Sequence, residues 1–98
     1  MSLNSKKTWM DGKWVDSDQA LVPLMTHTLH YGYGAFEGIR AYVKPNGQSH
    51  VFRLPEHVER LFESAKILCL KVPFSQPEIE EVCVEILKHN DFKEGYEY

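Results

Sequence analysis

Between Pro55 and Asn90 the chain carries two amphipathic stripes at helical spacing, and neither stripe can leave its apolar face in water. The first is Val58, Leu61, Phe62, Ala65 and Leu68. Pro55 suits the first position of this helix, where its missing N–H costs nothing, and Glu56 places a negative charge in the first turn. The second stripe is Ile79, Val82, Cys83, Ile86 and Leu87. Ser75 and Glu78 ahead of it have the spacing of a capping box, Lys88-His89 put cations near the negative helix end, and Asn90 reads as a stop.

The surface that covers these two faces has to come from the first half, whose signals are those of strands and turns. Thr8-Trp9-Met10 and Lys13-Trp14-Val15 flank Asp11-Gly12, a pair that tolerates positive φ at both turn positions and so predicts a hairpin. The polar run Asp16-Ser17-Asp18-Gln19 turns the chain into Ala20 to Met25, where Pro23 predicts an edge strand or an extended approach. Thr26 is placed to cap a short helical turn over His27 to Tyr31. Ala35 to Val43 and Gln48 to Arg53 read as strands around the turn residues Lys44-Pro45-Asn46-Gly47, a second hairpin. Strands first and helices second predict an α+β fold, an antiparallel sheet built from hairpins with two helices packed on it. With 98 residues the chain supports one core and buries a modest fraction of its surface, so a docking partner is expected.

A formal charge of −3 without a basic stripe argues against nucleic acid. No apolar run has the length of a membrane span and the start lacks a secretory signal, so the expected location is the cytosol. Cys69 and Cys83 fall in the two helical patterns and are expected to be reduced, partly buried thiols. His27 and His30, three apart with no third ligand nearby, predict packing or hydrogen bonding rather than a metal site, and His50, His57 and His89 add no signal.

Chemistry concentrates in His27-Thr28-Leu29-His30-Tyr31-Gly32-Tyr33-Gly34-Ala35-Phe36-Glu37-Gly38-Ile39-Arg40-Ala41-Tyr42. In a strand, Phe36, Gly38, Arg40 and Tyr42 share one face, with Glu37, Ile39 and Ala41 on the other. Two readings stand on pattern alone. Either the first face is a shallow pocket with an apolar wall, space at Gly38 and an anion-binding group at Arg40, or Phe36 and Tyr42 are core, Gly38 a bulge and Arg40 a solvated edge charge. Gly32-x-Gly34 is neither a dinucleotide nor a P-loop fingerprint.

The run HYGYGAFEGIRAY, followed by VFRLPEHVERLFESAKIL, resembles branched-chain amino-acid aminotransferases of the class IV (fold type IV) pyridoxal-phosphate family. The resemblance covers essentially the whole chain and is most specific at Phe36-Glu37-Gly38-Ile39-Arg40. It implies that residues 1–98 are the N-terminal small domain, with Arg60 on the cofactor phosphate and Phe36, Gly38 and Arg40 in the substrate pocket. It further implies that Tyr31 reaches the pocket of a neighbouring subunit in a homodimer or higher homo-oligomer. Tyr98 matches a tyrosine ahead of an Ile-Arg pair that recognises substrate carboxylate. The implied reaction moves an amino group between leucine, isoleucine or valine and 2-oxoglutarate.

Such a transfer requires a lysine amine that condenses with the cofactor aldehyde. The family keeps that lysine in a larger C-terminal domain, and neither Lys66 nor Lys71 matches its motif. No residue of this chain is therefore expected to be catalytic, and the chain alone is expected to be inactive and to retain no pyridoxal phosphate. Glu94-Gly95-Tyr96-Glu97-Tyr98 suits the opening of a strand, which favours truncation. The rivals are a D-amino acid transaminase or aminodeoxychorismate lyase of the same family, and a stand-alone, non-catalytic binding or interaction domain.

Overall fold

The computed structural model describes residues 6–90. Strands β1 (Lys7–Met10) and β2 (Lys13–Asp16) pair antiparallel with Trp9 opposite Trp14. Asp11 at φ 52° and Gly12 at φ 83° make the turn between them, as the Asp-Gly pair predicts. A single 3-10 turn, Ser17–Gln19, follows, and residues 20–25 form no strand: Leu21, Leu24 and Met25 are largely exposed. The short helix α1 (His27–Tyr31) begins after Thr26, whose hydroxyl donates back to Pro23 O at 2.7 Å instead of capping the helix.

Strand β3 (Ala41–Val43) pairs antiparallel with β4 (Ser49–Val51), Tyr42 opposite His50. Both strands are shorter than the hydrophobic pattern implies. Arg40 makes an isolated bridge, and residues 35–39 have no ladder partner among the described residues. Their side chains nonetheless alternate: Phe36, Gly38, Arg40 and Tyr42 are exposed, whereas Ile39 and Ala41 are buried and Glu37 is half-buried. Period-2 burial reports an extended backbone on a surface, not a paired neighbour. At the other end, Arg53 turns into the left-handed region at φ 53°, which ends β4 and starts helix α2 (Leu54–Ile67).

Helix α2 has Pro55 in its first turn, as expected, and buries Leu54, Val58 and Ala65. Ile39, Leu54 and Val58 form the centre of the core, with Val51, Phe62, Ile79 and Cys83 packed around it. Val58 is 1% exposed, and burying an aliphatic side chain that fully contributes about 2 kcal/mol. Helix α3 (Gln76–Asn90) opens with the predicted reciprocal cap: Glu78 N–H donates to Ser75 Oγ at 3.2 Å and Ser75 N–H to Glu78 Oε1 at 3.1 Å.

Helices and hairpins pack as the α+β reading requires, each hairpin forming its own two-stranded sheet. The first hairpin lies on α3. Trp14 stacks on His89 with ring centroids 4.1 Å apart, and Trp9 meets Phe74 edge-on at 4.7 Å. The buried Asn90 closes this contact, its Oδ1 accepting Lys7 N–H and its Nδ2 donating to Lys7 O at 2.9 Å, so that one side chain pairs with β1 like a neighbouring strand. Cys83 is partly buried in the helical stripe as expected, but Cys69 is exposed and lies just past the end of α2 at φ 57°.

Candidate cofactor and substrate site

The row of exposed residues on the Phe36–Tyr42 segment faces a concavity of about 280 Å³ lined by Gly38, Arg40, Tyr42, Phe52 and His57. A side chain at Gly38 would meet nothing within 4 Å, so the missing Cβ keeps that space open rather than relieving a clash. Phe36 is 90% and Tyr42 43% exposed, which removes the reading of both as core residues. Gly34 is a close-approach glycine: a Cβ there would lie 3.0 Å from Thr28 Cγ2. Gly32, at φ 65°, ends α1. Tyr33 O–H donates to Leu68 O at 2.5 Å, tying this loop to the end of α2.

Opposite the open row, the inward-facing Glu37 meets the first two turns of α2. Arg60 Nε–H and Nη2–H donate to the two Glu37 oxygens at 2.6 and 2.8 Å, a bidentate fork, and His57 Nδ1 lies 2.9 Å from Glu37 Oε2. His57 and Arg60 share one side of the helix because they are three residues apart. The carboxylate fixes the imidazole tautomer, since only an Nδ1–H can face a carboxylate oxygen at that distance. The 3.4 Å approach of Arg60 Nη2 to His57 Nδ1 is then a contact and not a hydrogen bond. Two donors, Arg60 first and His57 second, together with their charge hold the Glu37 carboxyl at about 2, against burial, which acts in the opposite direction. Glu37 in turn raises the Arg60 pKa.

The outer side of this cluster borders a second concavity of about 250 Å³, lined by Arg53, Glu56, His57 and Arg60. His57 thus lines both cavities. A third concavity, about 540 Å³, lies along Phe62, Ala65, Cys69 and Leu70 and shares no lining residue with the other two. Glu63, Lys66 and Lys71 also line this groove, and no hydrogen bond ties them to the Glu37 cluster among the described residues.

Residues 34–98 match the family described as Amino-transferase class IV. The chain belongs to that family. It is 43% identical over 88 residues to the branched-chain-amino-acid aminotransferase of Pseudomonas aeruginosa, covering 90% of this chain and 28% of that protein. Among solved structures it is similar to the branched-chain aminotransferase of the archaeon Thermoproteus uzoniensis with norvaline, at 47% identity and TM-score 0.86, covering 92% of this chain and 30% of that one. The Escherichia coli branched-chain amino acid aminotransferase gives TM-score 0.87 at 38% identity, covering 91% and 29%. This class IV chain therefore spans about three tenths of the length of the relatives it matches.

Of the residues singled out in the sequence, the structure brings Gly38 and Arg40 to one cavity and sets Arg60 on the next, with Phe36 on the same exposed row. Tyr31 stands apart on α1, 79% exposed, its ring edge-on to His27, while His30 Nε2 lies 2.8 Å from Leu24 O. Tyr98 and the expected terminal strand lie outside the described residues. Sequence reasoning missed Glu37 and His57. The signal for Glu37 was an acid in a row whose other members, Ile39 and Ala41, are core residues; such a position calls for a cation. For His57 it was the three-residue spacing to Arg60.

Proposed function

We propose that residues 1–98 form the N-terminal small domain of a fold type IV, pyridoxal-phosphate-dependent branched-chain amino-acid aminotransferase. The observation that carries this reading is the adjacency of two cavities, one lined by arginines and one by the Gly38–Arg40–Tyr42 row, joined at His57. The donor set fits the phosphate of pyridoxal phosphate. Arg60 has five N–H groups, of which Glu37 takes the Nε–H and one Nη2–H, leaving the terminal Nη1/Nη2 edge for an anion. When bound, pyridoxal phosphate supplies the aldehyde and the electron-withdrawing ring on which amino transfer depends.

The residues of this chain bind and orient. Arg40 offers a cationic group to a substrate carboxylate, Gly38 leaves the space, and Phe36 supplies an apolar wall for aliphatic side chains. Tyr31, and Tyr98 by resemblance, complete the pocket, Tyr31 from a neighbouring subunit. The lysine amine and the remaining phosphate contacts are assigned to a C-terminal domain. That domain and a second subunit are the partners for the exposed Leu24, Met25, Leu29, Tyr31 and Phe36. The setting is cytosolic, with leucine, isoleucine or valine and 2-oxoglutarate as substrates.

The full-length enzyme assayed with each branched-chain amino acid and 2-oxoglutarate is expected to form glutamate. Turnover of D-alanine or aminodeoxychorismate alone would assign the domain to a different member of the family.

A further inference from the structure

Glu37 is the most enclosed member of its cluster, its side chain 9% exposed, whereas the Arg60 side chain it holds is 63% exposed. An acid at a core-facing position is costly unless paired, and here both oxygens are engaged by groups from α2. The fork is side-on, using Nε–H and one Nη2–H. A guanidinium held this way cannot swing about its long stem, and its terminal edge points where the clamp sets it. Arginine without the clamp would have to be ordered anew each time an anion bound, at a cost in affinity.

Resting on the phosphate role of Arg60 proposed above, we infer that Glu37, supported by His57, is a positioning residue that locks Arg60 side-on so its terminal N–H edge meets the cofactor phosphate. Two effects oppose each other at this site. The carboxylate reduces the positive charge near the phosphate, which weakens attraction, and it pre-orients the fork, which strengthens it. If charge dominated, neutralising Glu37 would tighten phosphate binding; the positioning role requires the opposite sign.

The test uses the full-length enzyme and compares the dissociation constants of pyridoxal phosphate and of pyridoxal, which lacks the phosphate. The pyridoxal constant divided by the pyridoxal-phosphate constant, taken within one variant, isolates the phosphate contribution, because general loosening of the domain weakens both. Arg60→Ala is expected to collapse the ratio, and Glu37→Gln to lower it about tenfold, the scale of one charge-assisted contact. The double variant is expected to lose no more than Arg60→Ala alone. Glu37→Asp keeps the charge but withdraws it by one methylene, and it is expected to lower the ratio in a protein whose fold is retained. An unchanged or raised ratio in Glu37→Gln or Glu37→Asp, with Arg60→Ala still damaging, overturns the positioning role and leaves the phosphate role standing. An unchanged ratio in Arg60→Ala overturns both.

Discussion

Glu37 shows how a single residue can be both a fold element and part of a site. It occupies an inward position in the same alternation that buries Ile39 and Ala41, so its charge has to be met from α2. Its carboxyl sits at about 2 instead of the usual 4.5, so below the higher value the unfolded chain takes up a proton that the folded chain refuses. The pair therefore contributes stability that is complete above pH 4.5 and is lost as the pH falls toward 2. Denaturant unfolding followed by tryptophan fluorescence across this interval is expected to show a steeper loss of stability with acid in the wild type than in Glu37→Gln; equal slopes would mean that Glu37 titrates normally. The phosphate role proposed for Arg60 comes from the family resemblance, because a lone helical arginine is ordinarily a solvated one. Glu37 was legible from its face but was passed over, since alternation marks which residues point inward and not what they meet there.

At the scale of elements, turn and cap chemistry was the most legible. The Asp11-Gly12 hairpin and the Ser75/Glu78 box depend on side chains and φ angles local to a few residues. Strand length was less so, because the extended segment before β3 shows the alternation of a strand and has no ladder among the described residues. The end of α2 was not foreseen. Leu70 N–H bonds to Ala65 O at 2.8 Å and Cys69 N–H to Lys66 O at 3.0 Å, the Schellman arrangement, with Cys69 at the left-handed position usually held by glycine. A β-carbon in that region is strained, so Cys69→Gly is expected to stabilise the fold by about 1 kcal/mol in chemical denaturation. A decrease would indicate that the thiol makes a contact outweighing the strain. Cys83 differs in kind: burial first, and the nearby Glu80 second, push its thiol up to about 11 and make it a packing residue.

As a whole molecule, the chain reads as a family member with open surfaces. Its α+β layout follows from two amphipathic helices and the hairpins that cover them, a pattern carried by periodicity and therefore visible in sequence. The arrangement of the two cavities was not visible, because it depends on how β3, β4 and the start of α2 converge on His57. Strongly exposed Phe36 and Tyr31, on a chain covering 28% of the Pseudomonas aeruginosa relative, are the surfaces that the remaining domain and a second subunit are proposed to cover. In the proposed enzyme α2 presents Arg60 to a cofactor phosphate beside the pocket lined by Gly38 and Arg40. A crystal structure of the full-length enzyme with pyridoxal phosphate bound measures this directly. It is expected to place a phosphate oxygen within hydrogen-bond distance of the Arg60 terminal nitrogens, with Glu37 still on Nε; a phosphate held away from α2, with Arg60 in solvent, would rule out the phosphate role of Arg60.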